Sequence, residues 1–309
     1  MSPGQQHETP ADQSHGARSA IEAGVYRGRF APSPTGPLHF GSLIAALASY
    51  LDARHHGGEW LLRIEDLDPP REVAGAADAI RASLEGHGLE WDGLLYQSQR
   101  HDAYDEALAR LRTGPRLFRC CCTRSRLGPG GCCGRRCSPG ADDRCALRFS
   151  LDGSESFEDL VLGKQCMQLP EDVALRRRDG LYAYALAVVV DDAQQGITHV
   201  LRGRDLLEQT GVQLALLRHL GYAPPAYGHI PLLVDGAGNK LSKQTGAPAI
   251  DDHFALDNLR RALAMLGQTS ADAPAASAQE LLMQASASWT RRPLAERGQL
   301  SVEHNGSLA

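Results

Sequence analysis

The chain has no run of about 18 apolar residues, the length a membrane-spanning helix needs, so no transmembrane helix is expected. Its first residues, M-S-P-G-Q-Q-H-E-T-P-A-D-Q-S-H-G, have neither the basic start nor the apolar core of a secretory signal. Residues 1–24 read instead as a disordered tail. There is no excess of positive charge: 32 Lys and Arg against 37 Asp and Glu give −5. The surface as a whole therefore does not attract nucleic acid, and any such binding must come from a local patch. Internal repeats are absent as well. Without a secretion signal, the eight cysteines read as thiols of a reducing compartment, free or bound to metal, and a cytoplasmic location is expected.

With 309 residues, 42% of them hydrophobic and 22% charged, the chain can bury a sizeable core as one large or two modest domains. Val25, Tyr26 and Phe30 lead into a first strand. Pro32, Pro34 and Gly36 then force a rigid turn, and His39 and Gly41 precede an apolar helical pattern at Leu43, Ile44, Leu47 and Leu51. Gly57 and Gly58 stop that helix. Trp60 to Ile64 is a short apolar run, predicted to be a second strand parallel to the first. Helices are predicted over 74–85 and 101–111. From Arg112 to Gly140 arginine, glycine and cysteine dominate and apolar periodicity stops, which marks an inserted unit; strands at 146–151 and 160–169 belong to it. Further strands are expected at 182–190, ending in Asp191 and Asp192, at 198–201 and at 230–234, with a helix over 205–220. Residues 254–297 read as two or three helices, and the last dozen residues as frayed.

Strands alternating with helices around an interrupted middle imply an open α/β sheet with a domain inserted between its halves. The expected segments are the tail (1–24), a first half (25–111), the insertion (112–178), a second half (179–250) and a helical C-terminal region (251–309). Ligands of such a sheet belong at the carboxyl ends of its strands. There the sequence places Ala31 to Ser42, Glu65 to Asp68, Asp191 with Asp192, and a loop after Val234. A strand, a tight Gly/Pro turn and a helix start can present backbone N–H groups to phosphate. Lys240, Ser242 and Lys243 on the glycine-flanked loop can close over a polyphosphate, or form a solvated basic turn. Arg63 and Glu65 also fit a surface ion pair at a strand end. Six cysteines lie between Cys120 and Cys137, and four thiolates at such spacing suit a structural tetrahedral zinc site; reduced cysteines without metal are the alternative. Cys145 and Cys166 read as ordinary, partly buried thiols.

The stretch P-S-P-T-G-P-L-H-F-G-S resembles the first motif of the class I aminoacyl-tRNA synthetases, and K-L-S-K-Q the second. R-F-A-P-S-P-T-G, R-I-E-D and V-V-V-D-D place the resemblance in the glutamyl branch. No helical anticodon-binding domain is expected in so short a chain. With its cysteine-bearing insert it is similar to the short members of that branch that glutamylate the queuosine base in the anticodon of tRNA(Asp). The resemblance, over roughly residues 26–250, implies a Rossmann-type catalytic domain with an inserted zinc-bearing subdomain and a short helical C-terminal part. It implies L-glutamate and ATP with Mg²⁺ as substrates, no need of tRNA for activation, tRNA(Asp) carrying queuosine as partner, and a monomer. It makes Arg29, Phe30, Ala31, Pro32, Ser33, Glu65, Tyr184 and Arg202 the glutamate site. Glu65 would hold the α-ammonium, Arg29 and Arg202 would hold carboxylates, and Tyr184 would add a hydrogen bond; which arginine reads the side chain stays open.

By the same resemblance His39, Gly41, Ser42, Lys240, Ser242 and Lys243 form the ATP site, with His39 and Lys243 acting on the phosphates. Relatives bind one zinc through Cys-x-Cys and Tyr-x-x-x-Cys, which maps onto Cys120, Cys122, Cys133 (in the tyrosine place) and Cys137. Spacing alone leaves Cys121 and Cys132 open as substitutes. Two further departures stand out. Ala185 replaces a usual polar residue, and Ser42 replaces the last histidine of the first motif. Arg124, Arg126, Arg135, Arg136 and Arg176 to Arg178 could touch the phosphates of a tRNA stem-loop, or be solvated charge. Two other readings remain: a truncated glutamyl-tRNA synthetase charging a tRNA 3′ end, and a non-catalytic zinc-containing RNA-binding protein.

Overall fold

The computed structural model describes residues 25–141, 143–235, 249–268, 275–297 and 299–302. The loop carrying Lys240, Ser242 and Lys243 and the tail 1–24 lie outside them.

The chain opens with β1 (Arg27–Phe30), α1 (Phe40–His55), β2 (Glu59–Ile64), α2 (Ala76–Gly86), β3 (Gly93–Tyr96) and α3 (His101–Leu111). β1 and β2 are parallel, as the sequence predicts, with Arg29 opposite Leu61. β3 lies parallel on the far side of β2; its four residues are too short to leave a period in the sequence.

The insert contributes β4 (Leu117–Cys120), β5 (Ala146–Ser150), β6 (Ser154–Asp159), β7 (Gly163–Gln168) and β8 (Asp172–Arg176). β4, β5 and β8 form an antiparallel sheet, and β6 and β7 a hairpin. Then follow α4 (Tyr184–Gln194), β9 (His199–Gly203), α5 (Leu207–Leu220), β10 (Ala226–Ile230) and β11 (Leu232–Asp235). The C-terminal part is α6 (Ala255–Met265), α7 (Ala278–Ser288), α8 (Arg292–Ala295) and β12 (Gln299–Val302).

β9 and β10 are parallel, and the Thr198 amide donates to the Arg27 carbonyl at 2.9 Å, which seats β9 beside β1. The spatial order β3-β2-β1-β9-β10 is that of a doubly wound sheet, whose direction of winding reverses between β1 and β9. Ligands of such sheets sit in that crevice, at the strands' carboxyl ends.

Three expectations are corrected. Residues 182–190 are not a strand. From Tyr184 they form α4, in which Ala185 to Asp192 are all buried. A short run that is apolar on every side carries no period, so three valines suggested a strand where surrounding packing enforces a helix. Asp191 and Asp192 consequently lie inside that helix rather than at a strand end. The single strand at 230–234 divides at Pro231 into β10 and β11, because proline lacks the N–H a continuous ladder would use. The chain end is not frayed throughout, since β12 pairs in parallel with β11.

One core joins α1, β2, α6 and α7 through Leu47, Leu51, Trp60, Leu62, Leu263 and Leu282. A second joins α3, α4 and α5 through Tyr104, Leu108, Leu186, Val189 and Leu216, and a small third one gathers Ile197, Val200 and Tyr227. Asp52 of α1 pins the C-terminal part to the first core: it accepts from Trp289 Nε1 (2.8 Å), from Arg291 (2.8 and 2.9 Å) and from the Tyr26 hydroxyl. Burial works against the Asp52 charge, but Arg291 and Tyr26 outweigh it and hold the carboxyl below its usual range.

Candidate active site

The crevice between β1 and β9 opens into a cavity of ≈ 580 Å³. Arg29 and Phe30 come from β1, Ala31 and Ser33 from the turn after it, Glu65 from the end of β2, Tyr184 from the start of α4, and Arg202 from β9. Seven of the residues predicted for one amino-acid site thus line one cavity. Pro32 contributes through its backbone, its carbonyl accepting the Glu65 amide at 3.0 Å. The turn is further tied by Thr35 N–H to the Ser33 carbonyl (2.9 Å) and Val73 N–H to the Pro34 carbonyl (3.0 Å). Gly36 has φ 140°, a conformation that a side chain would strain.

Charge beside the cavity is arranged around the buried Asp192. Arg29 donates to both its oxygens, at 3.2 and 3.3 Å, and Arg63 Nη2 lies 2.7 Å from Oδ1. Burial opposes the Asp192 charge, but Arg29 and Arg63 hold its carboxyl below the usual range. Glu65 behaves in the opposite way. Burial pushes its carboxyl up to about 7 despite Arg63 and Arg29, with Asp192 and Asp191 adding to the rise. Its Oε1 is buried with no hydrogen-bond partner and lies 3.7 Å from Arg63 Nε. The Arg63–Glu65 pair is therefore no surface bridge: Arg63 has no exposed side-chain area. A buried carboxylate with spare acceptor capacity suits a substrate ammonium group.

Asp191 is satisfied separately, by Gln97 Nε2 (2.8 Å), the Tyr104 hydroxyl (2.8 Å) and Arg100 Nε (3.1 Å). Arg202 has only neutral neighbours among the described residues: His229 Nε2 (3.2 Å), Thr210 Oγ1 (2.7 Å), the Leu206 carbonyl (3.3 Å) and the Tyr184 hydroxyl (3.4 Å).

His39 is the N-cap of α1. Its Nδ1 accepts the Ser42 amide at 3.2 Å, and its Nε2 lies 2.9 Å from Ser42 Oγ. His39, Gly41 and Ser42 do not line the cavity; they form the start of α1, whose Ala45 does. Lys240, Ser242 and Lys243 lie outside the described residues. Ala185 is buried in the first turn of α4.

Three features go beyond what the sequence assigns. Asp192 was visible in V-V-V-D-D but was assigned no partner. Asp159 and His229, behind Arg202, come from the insert and from β10, and no local pattern links them. Asp68, Arg71 and Arg177 also line the cavity, and Arg177 of the insert reaches Asp68 Oδ1 at 2.9 Å.

In the insert, the sulfurs of Cys120, Cys122, Cys133 and Cys137 all lie within 4.8 Å of one another. Cys122 to Cys133 is 3.8 Å and Cys133 to Cys137 is 3.5 Å. A tetrahedral zinc with bonds of about 2.3 Å needs sulfurs about 3.8 Å apart, so this donor set fits zinc. Cys132 is not part of it, since its sulfur points to the Asp172 carbonyl at 3.3 Å; Cys121 is also outside the set. Asp172 accepts the amides of Cys133 (2.9 Å) and Gly134 (2.6 Å) and pairs with Arg148, which fixes the loop that carries Cys133. Cys145 is partly buried as expected, but Cys166 is exposed. Most of the arginines predicted for RNA contact are engaged within the protein: Arg135 stacks on Phe118 (4.6 Å), Arg136 pairs with Glu171 (3.1 Å), and Arg176 stacks on Tyr182 (5.2 Å). Arg124 and Arg126 are exposed.

A doubly wound sheet, with a Pro/Gly turn leading into an α1 capped by His39 and a cavity at the β1–β9 crevice, is the arrangement of a class I aminoacyl-tRNA synthetase catalytic domain. Residues 26–129 and 138–286 match the family "tRNA synthetases class I (E and Q), catalytic domain". The fold superposes on the glutamate-tRNA synthetase of Elizabethkingia anophelis with a TM-score of 0.77 and 25% identity, over 91% of this chain and 69% of that one. The chain is 49% identical over 282 residues to the glutamyl-Q tRNA(Asp) synthetase of Chromobacterium violaceum, covering 86% of this chain and 94% of that protein. It is 51% identical over 262 residues to that of Dechloromonas aromatica, covering 79% and 86%. The chain belongs to the glutamyl-Q tRNA(Asp) synthetase family.

Proposed function

We propose that this chain activates L-glutamate with ATP, without tRNA, and transfers the glutamate to the queuosine base in the anticodon of tRNA(Asp). The observation that carries this reading is the cavity between β1 and β9, where Glu65 stands among Arg29, Tyr184 and Arg202, in a chain about half identical to enzymes of that name.

In the first step a carboxylate oxygen of glutamate attacks the α-phosphorus of ATP. The phosphoanhydride bond breaks and pyrophosphate leaves, with Mg²⁺ accompanying the nucleotide. No protein nucleophile is required; the chain positions the reactants and stabilises charge. Glu65 takes the ammonium group, and Arg29 and Arg202 take carboxylates. His39 and the N-terminus of α1 meet the phosphates, and Lys243 steadies the pyrophosphate. In the second step the queuosine base attacks the acyl carbon and AMP departs. Cys120, Cys122, Cys133 and Cys137 would hold one zinc, which would fix the fold of the insert and take no part in the reaction.

Pyrophosphate exchange into ATP, measured with glutamate and no tRNA, tests this reading. Exchange is expected. Exchange that appears only with tRNA would favour a glutamyl-tRNA synthetase, and none under either condition would favour a binding protein.

A further inference from the structure

Arg29 and Arg202 line the same cavity but are held by opposite kinds of neighbour. Arg29 meets a carboxylate directly, at Asp192. Arg202 meets no carboxylate among the described residues; its Nε donates to His229 Nε2 at 3.2 Å. The acid lies one ring further back. Asp159 Oδ2 is 2.5 Å from His229 Nδ1, and Asp159 Oδ1 accepts the amides of Val161 and Leu162 at 2.9 Å and of His229 itself at 3.2 Å. His229 is fully buried and Asp159 nearly so.

These bonds fix a proton. A carboxylate at Nδ1 requires the hydrogen there, which leaves the Nε2 lone pair to accept from Arg202, with the Thr210 hydroxyl also 3.0 Å from it. Burial, together with Arg202, lowers the basicity of His229 against the opposing pull of Asp159 and Asp205, so the ring stays neutral beside the guanidinium. Thr210 Oγ1 at 2.7 Å and the Tyr227 ring at 5.1 Å complete a cradle of neutral groups. Asp159 ends β6 of the insert, whereas His229 and Arg202 lie on β10 and β9. The insert hairpin therefore reaches the back wall of the cavity.

We propose that Asp159 and His229 are positioning residues for substrate: through the Nδ1–H tautomer they orient Arg202 and leave its charge available to a glutamate carboxylate. This proposal rests on the reading of the cavity as a glutamate site.

Asp159→Asn tests it. Asparagine keeps the size, and with its oxygen on the Val161 and Leu162 amides it turns an NH₂ toward Nδ1. The ring proton then moves to Nε2, and two donors face each other at Arg202. In pyrophosphate exchange the KM for glutamate is expected to rise at least about tenfold, as for loss of a hydrogen bond to a charged group. The KM for ATP is expected to stay within about twofold, because only ground-state glutamate contacts change. An unchanged glutamate KM, or an equal rise in both, would overturn the proposal. If the variant does not fold, ¹⁵N spectra of the unmodified protein decide: His229 is expected to carry its proton on Nδ1, and a proton on Nε2 would overturn the proposal. Absence of any glutamate-dependent exchange in the unmodified protein is a separate result. It precedes every substitution and would sink the glutamate reading together with this inference.

Discussion

Asp192 of α4 holds Arg29 of β1 by two bonds of 3.2 and 3.3 Å while also pairing with Arg63 at 2.7 Å. Removing one partner of a buried ion pair leaves an uncompensated charge, at a cost of about 3–5 kcal/mol. Asp192→Asn should lower unfolding stability by that order in urea titration and also impair glutamate activation. A loss below about 1 kcal/mol, the worth of an exposed pair, would mean that this link does not organise the site.

Glu65 gives the site a pH dependence whose sign is fixed. Its carboxyl is raised to about 7 in the free protein by burial, and an ammonium ligand requires its ionised form. Binding below that pH must release a proton. Glutamate affinity should rise with pH by at most about tenfold per unit and level off above about 7. Calorimetry in buffers of different ionisation enthalpy would register the proton. The folding contribution runs the other way: a raised acid adds stability at low pH that is lost as pH rises through about 7. Asp192, held low, contributes at neutral pH and loses its contribution as pH falls through its depressed value.

Four converging cysteine sulfurs predict one zinc per chain by metal analysis. Cys133→Ser should lose the metal and lower the melting temperature, whereas Cys132→Ser, outside the donor set, should keep it. Protein purified without chelators and free of zinc would refute the site.

His39 caps α1 and is proposed to meet the ATP phosphates together with Lys243. His39→Ala and Lys243→Ala should each cut glutamate-dependent exchange by at least about 10²-fold, the scale of losing one electrostatic stabiliser. Near-normal exchange in both would remove these residues from the chemistry.

Much of the site was legible in the sequence because its residues sit in contiguous motifs at strand ends. Arg29 and Phe30 end β1, Ala31 to Ser33 follow it, Glu65 follows β2, and Arg202 lies in β9. The four clustered cysteines were legible only with help from relatives, since spacing alone did not separate Cys122 from Cys121. The Asp172 carbonyl near Cys132 is a tertiary fact. α4 was misread because a helix buried on every side shows no period. Asp159 and His229 went unnoticed for a related reason: they lie 70 positions apart, and each alone resembles an ordinary buried polar residue.

The most direct test of the proposed function is transfer of labelled glutamate to tRNA(Asp) prepared with and without queuosine. Label is expected on the queuosine-containing tRNA and not on the other. Equal labelling of the two, or labelling of neither, would contradict it.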